Sequence, residues 1–90
     1  MNTRFRNQFL KDLKKVKNQS LKQKIKSTII QIENAPSIQN IEQIKVLKGA
    51  DNYFRVRIGD YRMGLFFDTQ SSEVWIERFL HRKDIYKKFP

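Results

Sequence analysis

The sequence predicts an α+β protein in which two N-terminal antiparallel helices pack on a mainly antiparallel β-sheet. Two observations carry this. Apolar residues recur at helical spacing over the first third of the chain, then at strand spacing over the second half. Helix-like and strand-like segments are also segregated rather than alternating, which is the α+β order. At 90 residues, with 39% apolar residues and seven Phe, three Tyr and one Trp, the expectation is one folded domain over 1–90.

Taken in order, Phe5, Phe9, Leu13 and Val16 form the apolar stripe of a first helix, with Lys11, Asp12, Lys14 and Lys15 mostly off it. Asn18-Gln19-Ser20 interrupts the pattern. Ser20 followed by Gln23 reads as a capping box for a second helix carrying Leu21, Ile25, Ile29 and Ile32 on one face. Asn34-Ala35-Pro36 ends it, since the residue before proline is disfavoured in helix. After a connector from Pro36 to Gln43, Ile44 to Leu47 is a short strand. Tyr53 to Ile58 alternates, Gly59-Asp60 is a two-residue hairpin signal, and Tyr61 to Asp68 is the returning strand. Glu73 to Leu80 is the last strand, with Val74, Ile76, Arg78 and Leu80 expected on one side and Trp75, Glu77, Phe79 and His81 on the other. The tail from Arg82 to Pro90 has the makings of one short helical turn carrying Ile85 and Tyr86. A strand at Asn2 to Phe5 is the least supported element.

Composition narrows the chemistry. There is no Cys, so disulfides, thiolate metal sites and thiol nucleophiles are excluded. No His/Asp/Glu cluster has metal-ligand spacing, no glycine-rich phosphate loop is present, and no cofactor is implied. With no signal-like start and no long apolar run, a soluble cytoplasmic protein is expected. Nineteen Lys and Arg against nine Asp and Glu give a net charge of +10 and a pI near 10.2, a balance suited to a polyanionic partner.

The most informative segment is Tyr53-Phe-Arg-Val-Arg-Ile-Gly-Asp-Tyr-Arg62. Strand alternation puts Phe54, Val56 and Ile58 on one face and Tyr53, Arg55 and Arg57 on the other. Across the tight turn, Arg62 can join the arginine face. Three guanidiniums on paired strands make a preorganised anion site, because Arg stays charged and can bind phosphate through two parallel hydrogen bonds. Alone, such a face fits solvation and edge protection equally well. A second group, His81-Arg82-Lys83-Asp84-Ile85-Tyr86, closes the last strand. His81, the only histidine, has a side chain suited to proton exchange. Arg82 can stabilise a pentavalent phosphorane, and Tyr86 can stack on a base or donate to phosphate. Lys48 can add positive potential. The lysines of the helices (Lys11, Lys14, Lys15, Lys22, Lys24, Lys26) read as a solvated face that can also grip phosphates in a salt-dependent way.

The string YFRVRIGDYRMGLFFD, the later ERFLHRKDIYKKF and the early FLKDLKKV together resemble the RelE/ParE toxin superfamily over nearly the whole chain. That resemblance implies a RelE-like microbial ribonuclease fold, with the toxin of a type II toxin–antitoxin pair as the function. RelE-like members cut mRNA on the ribosome without metal, by attack of the 2′-hydroxyl on the adjacent phosphate. By position, Arg55 and Arg57 correspond to the family's basic strand residues and Arg62 to the arginine of its YR element. Arg82 and Tyr86 correspond to the C-terminal arginine and tyrosine, and His81 to a position that is His in some relatives. The implied catalytic set is therefore Arg62, His81, Arg82 and Tyr86, with Lys48, Arg55 and Arg57 binding RNA phosphate. Implied partners are a cognate antitoxin, the ribosome and mRNA, with a toxin–antitoxin hetero-oligomer and no membrane. Relatives often carry lysine where Arg55 and Arg57 stand. Arginine is not a proton acceptor, which moves acid–base work toward His81 and Tyr86. The competing readings are a ParE-like inhibitor of DNA gyrase without nuclease activity, and a non-catalytic RNA-binding protein.

Overall fold

The computed structural model describes residues 1–90. Strand β1 (Asn2–Phe5) leads into helices α1 (Asn7–Lys14) and α2 (Gln19–Asn34), then a 3-10 turn at Ile38–Asn40. Strands β2 (Ile44–Val46), β3 (Tyr53–Ile58), β4 (Tyr61–Asp68) and β5 (Glu73–His81) follow, and helix α3 (Arg82–Lys88) ends the order. The five strands lie in the order β1-β5-β4-β3-β2. All neighbours are antiparallel except β1, which runs parallel to β5 from Asn2 opposite Glu73 to Phe5 opposite Ile76. The least supported strand is thus real and occupies a sheet edge. It is held by the ion pairs Arg4–Glu73 and Arg6–Glu77, both 2.8 Å, and by the Arg6 guanidinium 3.9 Å from the centre of the Trp75 ring.

The apolar stripes do what their periodicity dictates except at Phe5, which ends β1 instead of opening the first helix and is 41% exposed. Phe9, Ile25 and Ile32 from the helices meet Val56, Ile58, Met63, Leu65, Val74, Ile76 and Phe79 from the sheet in one core. Asn18, not Ser20, caps α2. Its side-chain oxygen accepts the Leu21 N–H at 2.9 Å, so the helix begins before the expected capping box.

The last strand departs from simple alternation. Leu65 pairs with Ile76, but Gly64 pairs with Arg78, leaving Glu77 as an extra residue in a bulge. Beyond it the faces exchange. Phe79, not Arg78 and Leu80, continues the core side after Val74 and Ile76, and His81 follows Phe79. The bulge lets Arg78 reach back to α1, where its Nε and Nη2 donate to the Asp12 carboxylate at 2.8 and 3.2 Å. Asp12, expected off the buried stripe, is 3% exposed and also accepts the Phe79 N–H at 3.0 Å.

The sheet's second face is not wholly open, as the alternation alone suggests. Ile85 of α3, Phe89 and Leu47 form a small second core there, against Tyr53 and Leu80. Leu47 lies just past β2, which is one residue shorter than expected. The Phe89 ring rests on Gly64, where an added Cβ would lie 2.8 Å from ring carbons. Gly64→Ala is therefore expected to displace Phe89 and cost about 1–3 kcal/mol by overpacking. In urea melts the loss should shrink when Gly64→Ala is combined with Phe89→Ala, because the clash is shared between the two positions.

Candidate functional site

The arginine site is built by the β3–β4 hairpin. Gly59, at φ 58°, takes the first central position of the two-residue turn, a conformation that glycine adopts without a steric penalty. The turn fixes the register, so Arg57 stands directly opposite Arg62 and Arg55 opposite Gly64. With Val56, Ile58 and Met63 in the core, alternation sends Arg55, Arg57 and Arg62 to the other face. The arginine face is as read from the sequence.

Arg62 is half-buried, and its Nη1 donates to the carbonyls of Gly59 at 2.9 Å and Tyr61 at 2.8 Å. Its Nε is buried without a hydrogen-bond partner. Arg57 is exposed and Arg55 half-buried. None of Arg55, Arg57, Arg62 and Arg82 meets a carboxylate, whereas Arg4, Arg6 and Arg78 are all paired with one. The arginines without a carboxylate partner are thus those of the hairpin and the start of α3.

Helix α3 brings the second group. Arg82 is its exposed first residue, and the Arg82 N–H donates to the Asp60 carbonyl at 2.8 Å, tying the helix start to the turn before Arg62. Ile85 anchors the helix in the second core, which leaves Tyr86, 57% exposed, on its outer side. The Arg55 guanidinium lies 5.7 Å from the centre of the Tyr86 ring, within cation–π range. Tyr86, Arg55, Lys45 and Lys48 line a cleft of about 450 Å³. The structure therefore brings Lys48, Arg55 and Tyr86 together, with Arg57 and Arg62 on the same sheet face. Lys45, opposite Arg55 in the register, also belongs to this cleft. Its place opposite Arg55 depends on the β2–β3 register, which nothing local in the sequence announces.

His81 is placed differently. It pairs with Tyr61, and the two rings meet edge to face at 5.4 Å. Tyr61 in turn stacks on core residue Phe79 at 5.1 Å. His81 therefore faces the helices, on the side of the sheet opposite the arginines, beside a cavity also lined by Asp12, Lys15 and Asp84. The expectation that it joins the arginine group is corrected, and the cause is the bulge at Glu77. No group of three His, Cys, Asp or Glu side chains converges to hold a metal, and no helix is long and apolar enough to cross a membrane.

Fold and site define a small basic α+β protein with a cationic hairpin face bordered by a C-terminal helix. Residues 3–86 match the family described as the ParE toxin of the parDE type II toxin–antitoxin system. The chain is 37% identical over 91 residues to Toxin RelE3 of Methanocaldococcus jannaschii, covering 100% of both chains. Among solved structures, the RelB–RelE antitoxin–toxin complex from Methanococcus jannaschii matches with a TM-score of 0.78 and 38% identity, over 96% of this chain and 98% of that one. The intact E. coli RelBE toxin–antitoxin complex shares the fold, with a TM-score of 0.71 at 15% identity over 89% of this chain and 94% of that one. The chain belongs to the RelE/ParE superfamily of type II toxins.

Proposed function

We propose that the protein is a metal-independent, ribosome-dependent mRNA endoribonuclease acting in the cytoplasm. The observation that carries this reading is the direct cross-strand opposition of Arg57 and Arg62, with the Arg62 Nε buried and unpartnered. Like charges directly opposite one another destabilise a sheet, and a buried N–H without an acceptor adds a further cost. A phosphate seated between the two guanidiniums relieves the repulsion between them.

In that seat the RNA 2′-hydroxyl gives its proton to solvent water as its oxygen bonds to phosphorus. The P–O5′ bond breaks, and the leaving 5′-oxygen takes a proton. Arg55, Arg57, Arg62 and Arg82 offset the charge that builds on the phosphoryl oxygens. Arg cannot exchange protons here, so Tyr86, beside Arg55, donates to the leaving oxygen or stacks on the adjoining base. Lys45 and Lys48 attract the strand.

The partner of the resting protein is an antitoxin, by analogy with the RelB–RelE complexes it resembles. A groove of about 720 Å³ between α1 and α2 suits it. Leu10, Leu13, Ile25 and Ile30 form the apolar floor, flanked by Lys22 and Lys26, which favours an amphipathic segment with acidic edges.

Primer extension on mRNA bound to translating ribosomes tests the reading. Wild type should produce discrete cuts, and an Arg55→Ala/Arg62→Ala variant should not. The match to the ParE description supports a second reading, gyrase inhibition. Intact mRNA together with loss of gyrase supercoiling would establish that one instead.

A further inference from the structure

His81 lies at the junction of β5 and α3, on the face away from the arginines, and its ring is already engaged. The Lys83 N–H donates to His81 Nδ1 at 3.2 Å, making His81 the N-cap of α3. With Nδ1 accepting, the proton of the neutral ring sits on Nε2. The edge-to-face contact with Tyr61 fixes the plane of the imidazole. The next residue, Arg82, is tied through its N–H to Asp60, and one turn further along the helix Tyr86 meets Arg55. His81 therefore contacts neither arginine strand on its open face, yet it holds the start of the helix that carries both Arg82 and Tyr86.

We propose that His81 is a positioning residue: through its Nδ1 cap on α3 it sets Arg82 and Tyr86 against the arginine face, and its ring transfers no proton in the reaction. The inference rests on the nuclease reading above. It assigns the only histidine of the chain a role that a proton carrier cannot mimic, because the required property is a hydrogen-bond acceptor at the cap and not an exchangeable proton.

Asparagine supplies such an acceptor at an N-cap, and alanine does not. The test compares wild type, His81→Asn and His81→Ala in cleavage of ribosome-bound mRNA, alongside amide hydrogen exchange in α3. His81→Asn should cleave within about threefold of wild type, with α3 exchange unchanged. His81→Ala should exchange about tenfold faster at Lys83 and at Tyr86 to Phe89, and lose cleavage by a similar factor. A histidine that moves a proton would instead leave both variants equally impaired, by about 10²–10⁴-fold, with α3 exchange unchanged; that result overturns the proposal. If wild type itself leaves mRNA intact, the nuclease reading falls. The exchange data still decide the cap, since equal α3 exchange in wild type and His81→Ala would refute it.

Discussion

Arg62→Ala is expected to reduce mRNA cleavage by about 10²–10³-fold, the usual effect of removing one preorganised donor aimed at transition-state charge. The expectation follows from how Arg62 is held. Its guanidinium is fixed by two backbone carbonyls of its own hairpin and carries a buried Nε with no partner. That holds the guanidinium in place with its Nη2 unengaged by the fold. The same substitution should not weaken the fold through electrostatics, since it removes the like charge facing Arg57. Relief of that opposition is worth about 0.2–1 kcal/mol. The loss of the two Nη1 hydrogen bonds to the Gly59 and Tyr61 carbonyls offsets that relief, so a large loss of cleavage at a nearly unchanged urea midpoint is the signature of a group placed for binding rather than stability. Arg62→Lys should recover only part of the activity, because an ammonium lacks the planar group that lets Nη1 hold the two carbonyls while Nη2 faces the phosphate. Single-turnover cleavage and urea melts on the same three proteins check this.

Asp12→Ala is expected to cost about 3–5 kcal/mol, because it strands the Arg78 guanidinium in a mostly buried position. It also leaves the buried Phe79 N–H without its acceptor. This contact ties α1 to β5 just past the bulge, so its loss should loosen the first helix from the sheet. The pH dependence follows from the same group. Burial pushes the Asp12 carboxyl upward, but the hydrogen bonds from Arg78 and Phe79 and the Arg78 charge outweigh it. The carboxyl is held below its ordinary value of 3.8. A carboxyl depressed in the native state contributes stability that is fully present above the unfolded value. That stability is lost as pH falls through the native one. The urea midpoint attributable to this pair should therefore be flat from neutral pH down to about 5 and fall below about 4. Asp12→Asn should start lower and lose less in that window. Glu73, half-buried at the start of β5 and lowered by its hydrogen bond from Arg4, titrates in the same direction. An Arg4→Ala control separates the two.

Local patterns in the sequence were enough for the helices, the β3–β4 hairpin and the arginine face. Each depends on a repeat of a few residues or on a two-residue turn whose geometry is narrow. Arg57 opposite Arg62 followed from Gly59-Asp60 and the period of two. What stayed hidden depends on contacts between distant positions. The bulge at Glu77 is invisible in Glu73 to His81 because both registers leave apolar residues on each face. Only pairing with β4 selects one, and that selection turned His81 toward the helices. Asp12 looked like a surface residue because its partner lies 66 positions away. Parallel pairing of β1 with β5 is likewise non-local, and a four-residue strand carries too little alternation to announce itself. The small second core needed α3 to fold back on the sheet, which Ile85 and Phe89 hinted at only by being apolar.

On the proposed reading, the open face of the β3–β4 hairpin holds a phosphate for attack by the neighbouring 2′-hydroxyl. The most direct measurement is the chemistry of the RNA ends after incubation with translating ribosomes, read by mass spectrometry. Wild type should leave 2′,3′-cyclic phosphate on the upstream fragment and a 5′-hydroxyl on the downstream one, with no cut where the attacking nucleotide is 2′-deoxy. Uncut mRNA, 3′-hydroxyl ends, or equal cleavage of the 2′-deoxy substrate would contradict it.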